Sequence, residues 1–278
     1  MKKLTDLLEK LEYKCVQGTL DREIAAVVSD SRKAGPDSLF LCIKGAVSDG
    51  HVYAKEVAEK GACVLVVQDP VEVPDSVTVI QVEDSRLAMA YISAAWFDYP
   101  AEKLKTVGIT GTKGKTTTTY LVKSILENAG HKTGLIGTIE AIIGDRTIPA
   151  ANTTPESYLV QQYFAEMVKE GCDSVVMEVS SQGLMLHRTA GFTFDIGIFT
   201  NIEPDHIGPN EHKDFDDYLH CKSLLFQQCK TGIFNADDEH LEKLLEGHTC
   251  QVETLGFSEK ADLRAENTRL VSGKGTLG

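Results

Sequence analysis

The sequence predicts an α/β fold in two parts: a small α/β domain, then a mostly parallel sheet carrying a glycine-rich phosphate loop. Three observations carry this. Short apolar runs of strand length recur along the chain, with stretches of helical spacing between several of them. The stretch DYPAEKLK, a proline among charges, marks a change of pattern near Tyr99–Lys103. Beyond it the buried strand LKTVGIT runs straight into GTKGKTT. The expected domains are 1–101 and 102–278, the second incomplete.

Each element has its own signal. In the first part, SLFLCIKG and ACVLVVQ read as strands, and HVYAKEVAEKG between them as a helix capped at Gly61. DSRLAMAYISAAWF, Asp84 to Phe97, reads as a second helix. In the second part a helix is expected from Thr116 to Asn128. Strands follow at KTGLIG, DSVVMEV, DIGIFTN and TGIFNAD, with helices at PESYLVQQYFAEMVKEG and FDDYLHCKSLLFQQC. Such alternation implies a parallel sheet covered on both faces, whose ligands bind at the carboxyl ends of the strands. Gly111, Glu178 and Asn201 all lie at such ends. The closing LRAENTRLVSGKGTLG reads as a strand and a turn with nothing to complete the second part.

Composition narrows the function. With 278 residues, 42% hydrophobic and 25% charged, the chain can bury a core. A net charge of -13 argues against a nucleic-acid surface, which needs clustered Lys and Arg. A local nest of backbone N–H groups can still hold a nucleotide. MKKLTDLLEKLEYK is too interrupted by charge for a signal peptide, and no apolar run is long enough to span a bilayer. The seven cysteines include no C-x-x-C pair, so reduced thiols packed as small hydrophobes, a cytoplasmic location and no zinc site are expected.

Five stretches carry chemistry. In GTKGKTT, Gly111–Thr117, a strand turns through glycines into a helix, which aims backbone N–H groups and the helix dipole at one point. The spacing is shorter than G-x-x-x-x-G-K-[ST], because Ile109 stands where that pattern has its first glycine. Lys115 would reach the β- and γ-phosphates, and the Thr116 hydroxyl would sit on Mg²⁺. In MEVSSQGLMLHR, Glu178 is a strand-end carboxylate or a metal ligand, Ser180 a donor to an anion, and Arg188 a clamp for carboxylate or phosphate. In FTNIEPDH, His206 beside Asp205 is a candidate ligand for a second Mg²⁺. Lys222 in CKSLLF is a surface lysine, or one of lowered pKa able to take up CO₂ as a carbamate. In NTTPES, Asn152, Thr153 and Thr154 cap the next helix or donate to a bound anion.

Together these stretches closely resemble the Mur ligases, and within them the tripeptide-synthetase branch, which adds the third residue of the peptidoglycan stem peptide. NADDE also matches, and SDSRKAGPDSLFLCIKG, Ser29–Gly45, resembles that family's uridine-binding domain. The resemblance implies a small N-terminal UDP-binding domain and an ATP-binding central domain; the family's third domain, which binds the incoming amino acid, is not expected within these residues. Gly111, Thr112, Lys113, Gly114, Lys115, Thr116 and Thr117 would bind ATP. Thr116 and Glu178 would hold one Mg²⁺, and His206 with a carbamylated Lys222 the second. Lys115, Lys222, His206 and Glu178 would be catalytic. Ser31, Asn152, Thr153, Thr154, Ser180 and Arg188 would contact UDP-muramoyl-dipeptide.

The implied reaction joins that precursor to L-lysine or meso-diaminopimelate through an acyl phosphate, in a monomer acting on small molecules, without nucleic acid or membrane. Many relatives have Asn in place of Lys113 and His in place of Gln182, neither of them a required ligand. The segment alone is expected to be inactive. A non-ligating module that binds nucleotide and cell-wall precursor is the competing reading. A folylpolyglutamate synthase is a third, opposed by DSRKAGPDSLF.

Overall fold

A computed structural model describes residues 1–45, 48–208, 211–271 and 275–277 of the chain. Two compact units emerge, and each is described by itself. The first comprises Met1–Pro100, Glu156–Ala165 and Leu186–Gly191, and the second comprises Ala101–Pro155, Glu166–Met185 and Phe192–Gly278.

The first unit is built on strands β1 (Lys14–Gln17), β2 (Ala26–Val28), β3 (Ser38–Leu41), β4 (Val64–Val67) and β5 (Thr78–Gln81), in the order β1-β5-β4-β3-β2. All pairs are parallel except β1 with β5. Both faces of β3 and β4 are buried, which is why they read as unbroken apolar runs. Alternate side chains go opposite ways. Leu39, Leu41, Val64 and Val66 pack with Ala88 and Ile92 of helix α2 (Ser85–Trp96). Phe40, Leu65 and Val67 pack with Val57 of helix α1 (Ala54–Glu59).

The helix expected from His51 is α-helical only from Ala54, because Asp49 caps a preceding 3₁₀ turn, Gly50–Tyr53, by accepting from His51 N. Its expected end stands: Gly61 follows with φ 100, the left-handed conformation glycine adopts without strain.

The second unit holds a nine-stranded sheet. Its strands are β6 (Lys105–Thr110), β7 (Thr133–Ile136), β8 (Glu140–Ile143), β9 (Arg146–Pro149), β10 (Ser174–Glu178), β11 (Phe194–Phe199), β12 (Cys229–Asn235), β13 (Gln251–Gly256) and β14 (Leu263–Arg264). The order is β9-β8-β7-β10-β6-β11-β12-β13-β14, parallel throughout except for the antiparallel β8 and β9 at one edge.

Helices α3 (Lys115–Asn128), α4 (Ser157–Lys169), α5 (Ser181–Met185) and α6 (Phe215–Ser223) complete the named elements. The β8–β9 hairpin was not among the expected strands. Its signal is the two-residue Gly144–Asp145 turn, with Gly144 at φ 59. At the end of the chain, β15 (Arg269–Val271) and β16 (Gly275–Leu277) pair antiparallel, and the turn expected between them at 272–274 lies outside the described residues.

All seven cysteines are unbridged, five of them buried. Among the described residues no helix is long and apolar enough to cross a membrane. Helix α2 depends on its first turn, where the Asp84 carboxylate accepts from Arg86 N at 2.7 Å and Leu87 N at 3.0 Å. Asp84→Ala is therefore expected to destabilise the chain by about 0.5–2 kcal/mol. A thermal-unfolding midpoint equal to that of the parent would contradict this capping role.

Candidate active site

The parallel strands β6, β10 and β11 bring three chain segments to one edge of the second unit. The loop leaving β6 is held by the segment leaving β11. Thr112 N donates to the Asn201 carbonyl at 2.9 Å, and Lys113 N to Asn201 Oδ1 at 2.9 Å. In return Thr200 Oγ1 and Asn201 Nδ2 donate to the Lys113 carbonyl at 2.8 and 3.1 Å. Gly111 has φ 149, and a Cβ there would run into Thr200 Oγ1. Gly114, left-handed at φ 83, opens α3. The N–H groups of the first turn of this 14-residue helix lack intrahelical partners, which makes an anion site at the loop mouth. Lys113, Gly114 and Thr117 are exposed there.

Glu178 closes β10 and is 1% exposed. Thr116 Oγ1 donates to its Oε2 at 3.0 Å, Thr138 N to its Oε1 at 2.9 Å, and Thr138 Oγ1 to its Oε2 at 3.1 Å. A hydroxyl and a carboxylate so placed are the oxygen donors a Mg²⁺ ion prefers, and the set fits that ion.

Two lysines converge beside them. Lys115 Nζ donates to the carbonyls of Gly111 and Thr112 at 2.8 and 3.2 Å, and Lys222 Nζ to Gly111 at 2.9 Å. Burial lowers the Lys115 pKa, with the Glu178 charge opposing. Burial drives Lys222 well below 10.5, and the neighbouring Lys115 charge adds to this. The reading of Lys222 as a surface lysine is thus corrected: the side chain is 1% exposed on α6, with Nζ 4.4 Å from the centre of the Tyr218 ring. Tyr218 OH in turn meets Thr112 Oγ1 at 3.0 Å.

His206 is half exposed, has φ 55, and pairs through Nδ1 with Glu211 at 3.2 Å, its ring 6.0 Å from that of Tyr218. As an ammonium group Lys222 is a donor only, whereas a carbamate on Nζ would offer the carboxylate oxygens that a Mg²⁺ ion prefers.

The other expected polar residues divide between the units. In the second, Thr154 Oγ1 donates to the Glu178 carbonyl at 3.1 Å and accepts from Ser180 N at 2.9 Å. This tie to the end of β10 replaces the expected helix cap, since α4 starts three residues later at Ser157. Ser180 Oγ accepts from Gly183 N at 3.0 Å, Thr153 Oγ1 lies 3.1 Å from Thr138 Oγ1, and Asn152 is exposed.

In the first unit, Ser31 opens a 3₁₀ turn capped by Asp30 and lines a cavity of about 690 Å³ with Asp30, Gly45, Arg86 and Glu156. Arg188 meets Glu156 at 2.8 Å, and Arg86 approaches the other Glu156 oxygen at 3.4 Å. Thr138, Tyr218 and Glu156 were missed in the sequence. Only Thr138 left a local trace, by following an apolar strand.

Comparison with known proteins accords with this layout. The family model described as "Mur ligase middle domain" matches residues 109–277. The chain belongs to the Mur ligase family. A second model, "Mur ligase family, catalytic domain", matches residues 23–101. The chain is 45% identical over 271 residues to UDP-N-acetylmuramoyl-L-alanyl-D-glutamate--2,6-diaminopimelate ligase 1 of Clostridium acetobutylicum, covering 97% of this chain and 56% of that one. It is 41% identical over 268 residues to the 2,6-diaminopimelate ligase of Caldanaerobacter subterraneus, covering 96% and 55%.

The chain thus spans about half the length of the curated relatives it matches. A solved structure of a 2,6-diaminopimelate ligase superposes with a TM-score of 0.80 at 20% identity, over 99% of this chain and 58% of that one. MurF from Thermotoga maritima, solved in complex with ADP, superposes with a TM-score of 0.56 at 19% identity, over 89% and 54%. At these identities the likeness establishes the fold.

The buried Lys222 carries a pH signature. Its native pKa is depressed, so between that value and 10.5 the unfolded chain binds more protons than the native one. Native stability therefore rises with pH across this window. Lys222→Met removes the buried titratable amine and is expected to raise the unfolding temperature near neutral pH, by a margin that shrinks as pH approaches the ordinary lysine value. A margin independent of pH would show that desolvation of this amine does not govern stability.

Proposed function

We propose that this chain supplies the UDP-binding and ATP-binding parts of an ATP-dependent ligase. The ligase adds the third amino acid to UDP-N-acetylmuramoyl-L-alanyl-D-glutamate through an acyl phosphate. The observation that carries the reading is the Thr116–Glu178 pair at 3.0 Å with Nζ of Lys115 and of Lys222 on the Gly111 carbonyl. Oxygen donors for a divalent ion and two lysine side chains flank one phosphate loop. The relatives' names favour 2,6-diaminopimelate over lysine as the residue added.

A carboxylate is a poor electrophile, so the reaction needs its oxygen to attack the γ-phosphorus and expel ADP. The amine then attacks the acyl carbon, phosphate leaves, and the amine gives up a proton. In this reading the N–H groups of Gly114–Thr117 cradle the phosphates, and Lys115 swings from the loop carbonyls to the oxygen of the transferring group. Asn201 holds the loop in shape. Thr116 and Glu178 would hold Mg²⁺, which neutralises phosphate charge when bound. A second ion would rest on His206 and a carbamylated Lys222.

Ser31 and the first-unit cavity would take the UDP moiety. Asn152, Thr153, Thr154, Ser180 and Arg188 would contact the peptide part of the precursor. Positioning the reactants together supplies much of the rate.

Calorimetry on the chain tests both binding halves. UDP-muramoyl-L-alanyl-D-glutamate is expected to bind, and to bind more weakly to Ser31→Ala. Mg-ATP is expected to bind with affinity reduced on the order of 10- to 100-fold in Glu178→Gln, the worth of a charged hydrogen-bonding partner. A folded sample that takes ATP but not the precursor would sink the substrate assignment. For Lys222, ¹³C-bicarbonate is expected to yield a carbamate resonance in the parent chain and none in Lys222→Met. Identical spectra from the two would remove the carbamate.

A further inference from the structure

We propose that His212, Asp217 and Cys221 form a binding site for a zinc-class divalent ion, separate from the oxygen donors of Thr116 and Glu178. One ligand atom from each of the three lies within 4.8 Å of the other two. Asp217 and Cys221 are four residues apart on α6 and so share a face. His212, just ahead of that helix, is fully buried, and Cys221 is buried, while Asp217 is 26% exposed and opens the cluster to solvent. Imidazole nitrogen, thiolate sulfur and carboxylate oxygen make a donor set for zinc or cobalt, not for magnesium.

The two nitrogens of His212 are differently engaged. Nδ1 faces Asp217 at 3.0 Å, and Nε2 lies 2.8 Å from Ser181 Oγ. Asp217 as a carboxylate can only accept, so Nδ1 carries the proton and the Ser181 hydroxyl donates to Nε2. Metal-binding imidazoles have such an outer partner, which fixes the ring while the other nitrogen binds the ion. Here Ser181, the first residue of α5, is that partner.

On binding, Nδ1 becomes the ligand, its proton passes through solvent to Nε2, and Nε2–H donates to Ser181 Oγ. The Cys221 thiol gives its proton to water, so one proton is released per ion. Three protein ligands leave a fourth position for water. No regular Cys/His spacing announces this set, because the nine-residue gap from His212 to Cys221 is closed only by the fold. An ion there would brace α6, whose Tyr218 and Lys222 touch the loop at Thr112 and Gly111.

The site is tested with cobalt(II) alone, added to chelator-treated protein, so the outcome does not depend on ligase activity or nucleotide binding. The expected result is a thiolate-to-cobalt charge-transfer absorption that saturates at one equivalent and is bleached by Zn²⁺. Cys221→Ser abolishes it, Ser181→Ala weakens cobalt affinity roughly 10- to 100-fold, and Cys250→Ser leaves it unchanged. Should Cys221→Ser fail to fold by circular dichroism, Asp217→Asn, at the open side of the cluster, serves the same comparison. No charge-transfer band, or one that survives Cys221→Ser or Asp217→Asn in folded protein, overturns the proposal.

Discussion

A carboxylate at 1% exposure organises the second unit. An isolated ionised group in such a place costs many kcal/mol unless it is fully hydrogen-bonded. Glu178 meets this demand with donors from two other segments, Thr116 at the start of α3 and Thr138 after β7. Its backbone carbonyl takes a third, Thr154. Gly137 must lack a side chain, because a Cβ there would sit 2.5 Å from Glu178 Oε1. One charge at a strand end thus sets where three loops can run, and leaves oxygen donors at the mouth of the phosphate loop.

The loop is held against this centre by a second constraint. Gly111 and Gly114 take backbone conformations that side chains resist and glycine adopts freely, and between them Lys113 is tied by its N–H and carbonyl to Asn201 and Thr200 on the neighbouring strand end. The carbonyl of Gly111 then receives two lysine side chains, through Nζ of Lys115 and of Lys222. In a chain of net charge -13 the Lys115 side chain and the first-turn N–H groups of α3 place a local positive potential at this loop, where it favours an anion. Helix α6 has a part on both sides: Tyr218 and Lys222 face the loop, and Asp217 with Cys221 faces His212.

Much of the fold was legible because its signals are local. Strands buried on both faces, such as Val64–Val67, are continuous apolar runs, and Asp84 announces α2 by capping chemistry. Mismatches came where a short polar contact overrode periodicity. Asp49 turned the start of the expected first helix into a 3₁₀ turn, and Thr154 bonded to β10 instead of capping α4. Lys222 shows the limit from the other side. Its neighbours in sequence are those of an ordinary amphipathic helix, and nothing in CKSLLF reports that the amine is enclosed.

The sequence by itself determined the α/β class, the strand-loop-helix around GTKGKTT and the candidate polar residues, since periodicity and glycine spacing act over a few residues. Only the tertiary structure decided which of those residues meet. Thr116 reaches Glu178 across 62 residues, Lys222 reaches Gly111 across 111, and Ser181 reaches His212 across 31. Such pairings depend on strand order in the sheet and on which groups burial forces to find a partner. Those are properties of the packed chain as a whole.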